Sequence, residues 1–317
     1  MRYVSGAVSL ALLLALAAPV AAQTGAPQGA AAIPTVDYIE LFQLNRRLEP
    51  LYAEMLPVWE SEGLRPVEGV HIEIPGGAYA EYQGEMRPKV VSEFEGRRGS
   101  ILLWEEEDST VVWEVTVDEP GLYWIGMAWH PLPGKRASAM RDVKVNGVYP
   151  FNEARRLEFE RVWMDVPRGQ DNRGNDIRPA QVEAPQWLFK YFEDADGMYD
   201  GPFLFPLRAG ANRIELHSVR EPIAVEKLVV ASMERLPTYE EVLAQYRALG
   251  YQEVKDVVIK VQAEDVWRKS DPTVRKEFRF EPLVEPQSDG FWRLNSFGGW
   301  RWRKGGQWAT WKFTVPV

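Results

Sequence analysis

Residues 171–187 bring together the side-chain types best suited to binding a polar ligand, and they read DNRGNDIRPAQVEAPQW. Carboxylates, amides and guanidinium groups are planar and can form paired hydrogen bonds to two neighbouring hydroxyl groups. Tryptophans at the end of this stretch and before it could add a flat apolar surface for the C–H face of a ring. The candidate binding residues are Asp171, Asn172, Arg173, Asn175, Asp176, Arg178, Trp187 and Trp163.

The same residues could also satisfy one another. Arg173 and Arg178 could pair with Asp171, Asp176 or Glu183 and close the loop without any ligand. Long loops of compact domains are often functional, but their function can be a protein contact instead of ligand binding. The stretch therefore predicts a sugar site, and it leaves a closed loop and a docking interface open.

Catalytic side chains are few. The chain has three histidines and no cysteine, which disfavours zinc sites and thiol nucleophiles. The acidic run WEEED at 104–108 could supply a carboxylate pair for glycoside hydrolysis, but it precedes a strand and is more typical of a solvated turn. We therefore predict no catalytic residues and keep a glycan-degrading enzyme as the third alternative, after binding and docking.

Short β-strands must position these residues. In 111–117 the apolar residues Val111, Trp113, Val115 and Val117 alternate with polar ones, as in a half-buried strand. Asn146-Gly147 is typical of a tight hairpin turn. Many short strands without a long internal helix predict a mainly β fold, an antiparallel jelly-roll β-sandwich with short flanking helices.

An internal repeat divides the chain. Residues 50–74 match 237–261 without a gap, and each copy opens with Pro and closes its helix with Gly. Residues 109–117 match 307–315 further on, so we expect a chain cut inside its second copy. The predicted divisions are a helical segment at 35–69, a sandwich at 70–236, a linker helix at 237–256 and an incomplete second sandwich at 257–317.

The N-terminus predicts export. Residues 1–22 carry Arg2, an apolar run over 7–18 and the small-residue site Val20-Ala21-Ala22, as in a secretory signal peptide. Residues 23–34 are small and rich in Pro and Gly and are typical of a flexible leader. The predicted location is secreted, periplasmic or extracellular. The net charge of −9 argues against nucleic acid as a partner.

Four motifs carry a resemblance to a known family. They are WEVTVDEPGLY from Trp113 to Tyr123, VKVNG from Val143 to Gly147, the Gly-Asn segment from Leu207 to Leu216, and IAVEKLVV from Ile223 to Val230. This order resembles the galactose-binding-like β-sandwich and is similar to carbohydrate-binding modules of families 6 and 35. VQAEDVW at 261–267 resembles the opening strand of those modules.

The resemblance implies a function and partners. It implies an exported, non-catalytic carbohydrate-binding region with a glycan or sugar as ligand. The repeat and the loop also resemble the N-terminal regions of some bacterial extracellular solute-binding proteins of sugar ABC transporters, which implies transporter membrane subunits as partners of a downstream region. The alternatives are a structural, partner-docking sandwich and an accessory part of a glycan-degrading enzyme.

A structural Ca²⁺ is a further implication of the resemblance. Related modules often bind the ion through a Glu of the opening strand and an acid of a late strand, and this chain departs from that pattern by placing Gly76 or Gly77 at the first position. The candidate ligands are Glu73, Glu81, Glu226 and Glu264.

Overall fold

The computed structural model describes residues 49–233, 237–252, 254–255, 257–299, 302 and 305–315. The predicted signal peptide (1–22), the leader (23–34) and the first part of the helical segment lie outside the described residues. Within the described ranges, no helix combines the length and apolar character needed to cross a bilayer.

The described chain is built mainly from strands. Its helices are α1 (Tyr52–Ser61) and α2 (Tyr239–Ala248), with a 3₁₀ turn at Asn152–Ala154. Its strands are β1 (His71–Pro75), β2 (Glu81–Gln83), β3 (Lys89–Phe94), β4 (Arg97–Trp104), β5 (Thr110–Val117), β6 (Gly121–Pro131), β7 (Ala139–Val145), β8 (Leu157–Phe159), β9 (Trp163–Val166), β10 (Ala180–Glu183), β11 (Leu188–Tyr191), β12 (Leu204–Leu207), β13 (Gly210–Arg220), β14 (Ile223–Ala231), β15 (Arg268–Lys269), β16 (Arg275–Glu277), β17 (Ser296–Gly298) and β18 (Ala309–Thr310).

The first sheet has seven antiparallel strands arranged around β6 and β14. On one side, β6 pairs with β11 and β12; on the other it pairs with β14. In turn, β14 pairs with β1 and β4, and β4 pairs with β3. The last strand of the sandwich therefore lies between the opening strand β1 and the central strand β6.

The second sheet has five strands in the order β2–β5–β13–β7–β8. The alternation predicted for β5 is present, because Val111, Trp113, Val115 and Val117 all belong to the core. The buried Trp113 donates its indole Nε1–H to the carbonyl of Gly76 at 2.9 Å, which ties the two sheets together. The predicted antiparallel β-sandwich is confirmed.

Helix α1 packs against the core of the sandwich. It runs through Pro57, and its buried residues are Tyr52 and Trp59. The Tyr52 ring meets Phe151 and Phe203 edge-on, with centroids 4.9 and 4.7 Å apart. The helix predicted after Pro50 therefore forms and is held by aromatic packing.

In the residues that the structure describes, the second copy does not form a second sandwich. Residues 257–261, where the repeat predicts a strand, are not in a strand, and within 307–315 only β18 forms. Instead β15 joins β9 and β18 joins β15, which extends the β9–β10 hairpin into a four-stranded sheet. In the first copy β1 takes its hydrogen bonds from β14, and the described residues after 237 contain no counterpart of β14.

Candidate functional site

The first half of the predicted polar loop folds on itself. One carboxylate oxygen of Asp171 accepts from the backbone amides of Arg173 and Asn175 at 2.8 and 2.9 Å. The other accepts from the side-chain amide of Asn175 at 3.0 Å. These hydrogen bonds hold the pKa of Asp171 below its ordinary value. Asn172, Arg173 and Arg178 remain exposed.

The second half of the loop binds the chain's own C-terminal segment. Asp176 accepts from the backbone amide of Leu294 at 2.9 Å and from the guanidinium of Arg293 at 3.2 Å. The side-chain oxygen of Asn175 accepts from the amide of Trp292 at 3.1 Å. The sequence leaves a sugar site, a closed loop and a docking interface open for this stretch. The contacts of Asn175 and Asp176 match a docking interface, here with another segment of the same chain.

The two predicted stacking tryptophans occupy different environments. Trp163 is only 6% exposed and lies on β9, between β10 and β15, so it offers no ring face to a ligand. Trp187 is partly buried on the outer face of the first sheet, where its ring meets Phe94 and His130 edge-on. The structure therefore does not assemble the eight predicted residues into one site.

A groove of about 370 Å³ crosses the outer face of the first sheet, and we call it the sheet-face groove. Its floor consists of small or short side chains, Ala128 on β6 and Val229 on β14, with Gly126 opposite Val229. Because side chains alternate along a strand, the neighbouring Met127 faces the core, where it is fully buried. The groove is therefore a surface feature, separated from the core by one layer of backbone.

Aromatic side chains of β11 form one wall of the sheet-face groove. In the register of the sheet, Phe189 lies opposite Ala128 and Tyr191 opposite Gly126. A Cβ at Gly126 would lie 2.9 Å from Tyr191 and 3.0 Å from Phe189, so only glycine leaves room for these rings. Their centroids are 5.2 Å apart, and Phe189 is 47% exposed. Trp187 continues this wall.

Charged side chains form the opposite wall. Glu73 on β1 lies across the sheet from Val229 and accepts from Lys227 Nζ at 2.5 Å. Arg97 lies 3.8 Å from Glu226. The ammonium of Lys227, followed by His71, holds the pKa of Glu73 below its ordinary value. Two carboxylates and two cations are thus held in pairs along this wall.

Only part of this groove was predicted from the sequence. Trp187 was predicted as a stacking residue, and Glu73 and Glu226 as metal ligands, whereas Phe189 and Tyr191 were missed. The alternation of aromatic residues at 187, 189 and 191 is the signal that could have revealed this wall, since residues two apart share a face of a strand.

The candidate calcium ligands do not fit a calcium site in this arrangement. Glu73 and Glu226 are paired with cations, Glu81 is paired with Arg213, and Glu264 is buried in the C-terminal segment. The described residues contain no group of three or more His, Cys, Asp or Glu side chains that could hold a metal. Calcium needs six to eight oxygen ligands, which these separated carboxylates do not supply.

Gly76, one of the two glycines predicted for the ligand position, is also fixed by packing. A Cβ at Gly76 would lie 2.0 Å from the carbonyl oxygen of Val225, so no side chain fits there.

We expect chelation with EDTA to leave the midpoint of thermal unfolding unchanged. An ion that binds only the folded state would stabilise it, but the candidate ligands do not form a calcium site. A fall in the midpoint that calcium, but not magnesium, restores would contradict this prediction.

Comparisons with known proteins give similarity at the level of structure only. No protein-family model matches the chain, and no curated protein sequence matches it. A mannanase from Podospora anserina that carries a family 35 carbohydrate-binding module is 10% identical, with a TM-score of 0.33, over 53% of this chain and 28% of the mannanase.

Two isolated modules are similar over their full or nearly full length. A family 35 carbohydrate-binding module from Clostridium thermocellum is 14% identical, with a TM-score of 0.30, over 52% of this chain and 100% of the module. The C-terminal family 6 module of a laminarinase from Zobellia galactanivorans is 11% identical, with a TM-score of 0.28, over 51% of this chain and 99% of the module.

Proposed function

We propose that the chain is a non-catalytic carbohydrate-binding protein and that the sheet-face groove holds the glycan. The observation that carries this proposal is the arrangement of its walls, with Phe189 and Tyr191 on one side and Glu73 and Lys227 on the other. A sugar ring has apolar C–H faces and a rim of hydroxyl groups. Aromatic rings can stack on the faces, while carboxylates and ammonium groups bond the rim.

The charged wall supports binding rather than hydrolysis. Glycoside hydrolysis needs a carboxylic acid whose pKa is raised so that it can protonate the leaving oxygen. The pKa of Glu73 is lowered instead, by its hydrogen bond to Lys227. A carboxylate that stays ionised is a hydrogen-bond acceptor for hydroxyl groups.

An exported location is part of this proposal and rests on residues 1–22. A place in a sugar-uptake system, with transporter membrane subunits as partners, rests on the resemblance of the repeat and the loop alone. Stacking and paired hydrogen bonds in an open groove would give a modest affinity, which a second binding module in the same protein would increase through effective concentration.

A partner-docking function is the second candidate, and the C-terminal segment favours it. Several large apolar side chains are exposed there, among them Val258 at 92%, Leu283 at 96% and Phe280 at 64%. A protein partner could cover apolar side chains exposed to this extent. On this alternative the loop at 171–178 would be one element of a larger interface.

The test compares glycan binding by the wild-type protein and by Phe189→Ala/Tyr191→Ala. Affinity electrophoresis through mannan, laminarin, dextran and galactan, with polygalacturonate as an anionic polymer, is the first measurement. We expect the wild-type protein to be retarded by at least one neutral glycan and the double variant to bind it about tenfold to a hundredfold more weakly, since two stacking contacts are lost.

Phe280→Ala is the matched control, because it removes an exposed aromatic ring outside the groove. It should bind as the wild-type protein does. If the folded wild-type protein binds none of these glycans, the carbohydrate-binding function is refuted. If the double variant binds unchanged, the site lies elsewhere.

A further inference from the structure

A second pocket opens on the same face of the first sheet, on the far side of Trp187. Its volume is about 480 Å³. Glu95, Arg136 and Glu183 provide its charged groups, while Phe94 and His130 provide rings. The function proposed above does not use this pocket, and none of its residues was predicted as a binding residue.

The two pockets are neighbours on this face of the sheet. On β6, Ala128 lines the sheet-face groove and His130 lines the second pocket, and residues two apart on a strand share a face and lie about 7 Å apart. The turn between β3 and β4 also reaches both pockets, with Arg97 on the groove and Glu95 on the second pocket, as does the segment before β11, with Trp187 and Pro185.

Trp187 is the partition between the pockets, and it is held firmly. Its indole Nε1–H donates to the carbonyl of Glu95 at 3.0 Å. Its ring meets His130 and Phe94 edge-on, with centroid distances of 5.3 and 6.2 Å. A fixed, partly exposed indole between two pockets is a platform over which a chain of sugar rings can pass.

The second pocket also contains an unsatisfied polar group. His130 is 5% exposed, and its buried Nδ1 has no hydrogen-bond partner among the described residues. Such groups are rare in folded proteins, and most are paired with protein or with ordered water. Burial lowers the pKa of His130, because it disfavours the charged form of the ring.

The charges of the two pockets balance. In the sheet-face groove, two carboxylates are paired with two cations. In the second pocket, the carboxylate of Glu183 is paired with the buried Arg161, and one further carboxylate, Glu95, and one further cation, Arg136, line the pocket. A site without excess positive charge has no electrostatic preference for an anionic polymer.

We propose that the two pockets form one continuous site for a neutral oligosaccharide of at least two sugar rings, laid across Trp187. This inference rests on the proposed carbohydrate-binding function and adds the ligand class and its path. The part of the oligosaccharide that extends past Trp187 contacts Glu95 and Arg136. Polysaccharides with uronic acid units are excluded as preferred ligands.

The experiment is a chain-length series. The neutral glycan bound most tightly in the electrophoretic panel is supplied as its mono-, di-, tri- and tetrasaccharide, and binding to the full chain is measured by isothermal titration calorimetry. Affinity should rise with length in the wild-type protein. In Glu95→Gln/Arg136→Ala, which alters only exposed side chains of the second pocket, the longest oligosaccharide should bind about tenfold more weakly, since polar contacts to charged groups are lost.

Arg98→Ala, an exposed residue of the same hairpin outside both pockets, should bind as wild-type. The inference is overturned if affinity does not change with length, if Glu95→Gln/Arg136→Ala binds the tetrasaccharide normally, or if polygalacturonate binds more tightly than the neutral glycans. Loss of binding in Phe189→Ala/Tyr191→Ala together with normal binding in Glu95→Gln/Arg136→Ala would leave the proposed function intact and refute the extended path. If no glycan binds at all, both fail.

Discussion

Arg161→Met is expected to destabilise the sandwich by about 3–5 kcal/mol, the cost of removing one partner from a buried ion cluster. Arg161 is 2% exposed and bridges Glu183 and Glu221, at 2.5 and 2.7 Å. It also donates to the carbonyls of Leu132 and Ala137 at 2.9 and 2.7 Å. Methionine fills a similar volume but removes one charged donor from each of these four acceptors.

Urea denaturation at neutral pH measures this loss as a shift of the midpoint at unchanged slope. The matched control is Arg220→Met, because Arg220 is 42% exposed and lies 4.0 Å from Glu158, so its loss should cost less than about 1 kcal/mol. Equal effects of the two variants would show that the buried cluster has no special contribution.

The same cluster positions the second pocket. Glu183 lines that pocket, and Leu132, whose carbonyl Arg161 holds, lines it as well. The buried ion cluster therefore fixes the loop before Trp187 to the loop after β6. In the proposed site, Arg161 is therefore a positioning residue, which holds Glu183 and the carbonyl of Leu132 at the wall of the second pocket.

The sandwich could be predicted because its signals are local. The alternation in β5 and the Asn146-Gly147 turn are visible in short windows, and both residues of the turn adopt the positive φ values of 52° and 86° that such a hairpin needs. The groove needs more than a local signal. The alternation at 187, 189 and 191 places three aromatic side chains on one face, but only their pairing with the small residues of β6 shows that this face lines a groove.

The polar loop at 171–178 and the repeat depend even more on contacts between segments that are distant in the sequence. The polar residues of 171–178 were predicted, but their partner at 292–294 is remote in the sequence and carries no complementary motif. The repeat predicts a strand at 257–261 from its match to β1. A β-strand needs hydrogen bonds from a neighbour, and in the first copy β14 supplies them. The repeat copies the sequence pattern of β1, but the described residues of the second copy contain no counterpart of its pairing strand β14.

Lys269→Met is expected to release the C-terminal segment from the sandwich. Lys269 is fully buried and its ammonium pairs with Asp165, whose side chain is 4% exposed. The remaining carboxylate oxygen of Asp165 has no partner among the described residues. Methionine would leave the buried carboxylate of Asp165 without its cation. This costs about 3–5 kcal/mol and weakens the contact between β9 and β15.

Hydrogen exchange followed by mass spectrometry can separate this local effect from global unfolding. We expect faster exchange in residues 262–311 and in the loop at 171–178, because Asp176 and Asn175 lose their contacts with 292–294, while β6 and β14 exchange as in wild-type. Lys260→Met, which removes an exposed pair with Glu285, should change neither region.

The outcome also decides between the two uses of the polar loop. If release of the C-terminal segment leaves glycan binding unchanged, the groove acts independently and the loop serves the intramolecular contact. If the released variant binds glycans that the wild-type protein does not, the C-terminal segment occupies a sugar site formed by Asp176, Asn175 and the exposed arginines. Unchanged exchange throughout would show that the buried Lys269–Asp165 pair does not hold the segment in place, and the contacts of Asp176 with 293–294 would then have to do so.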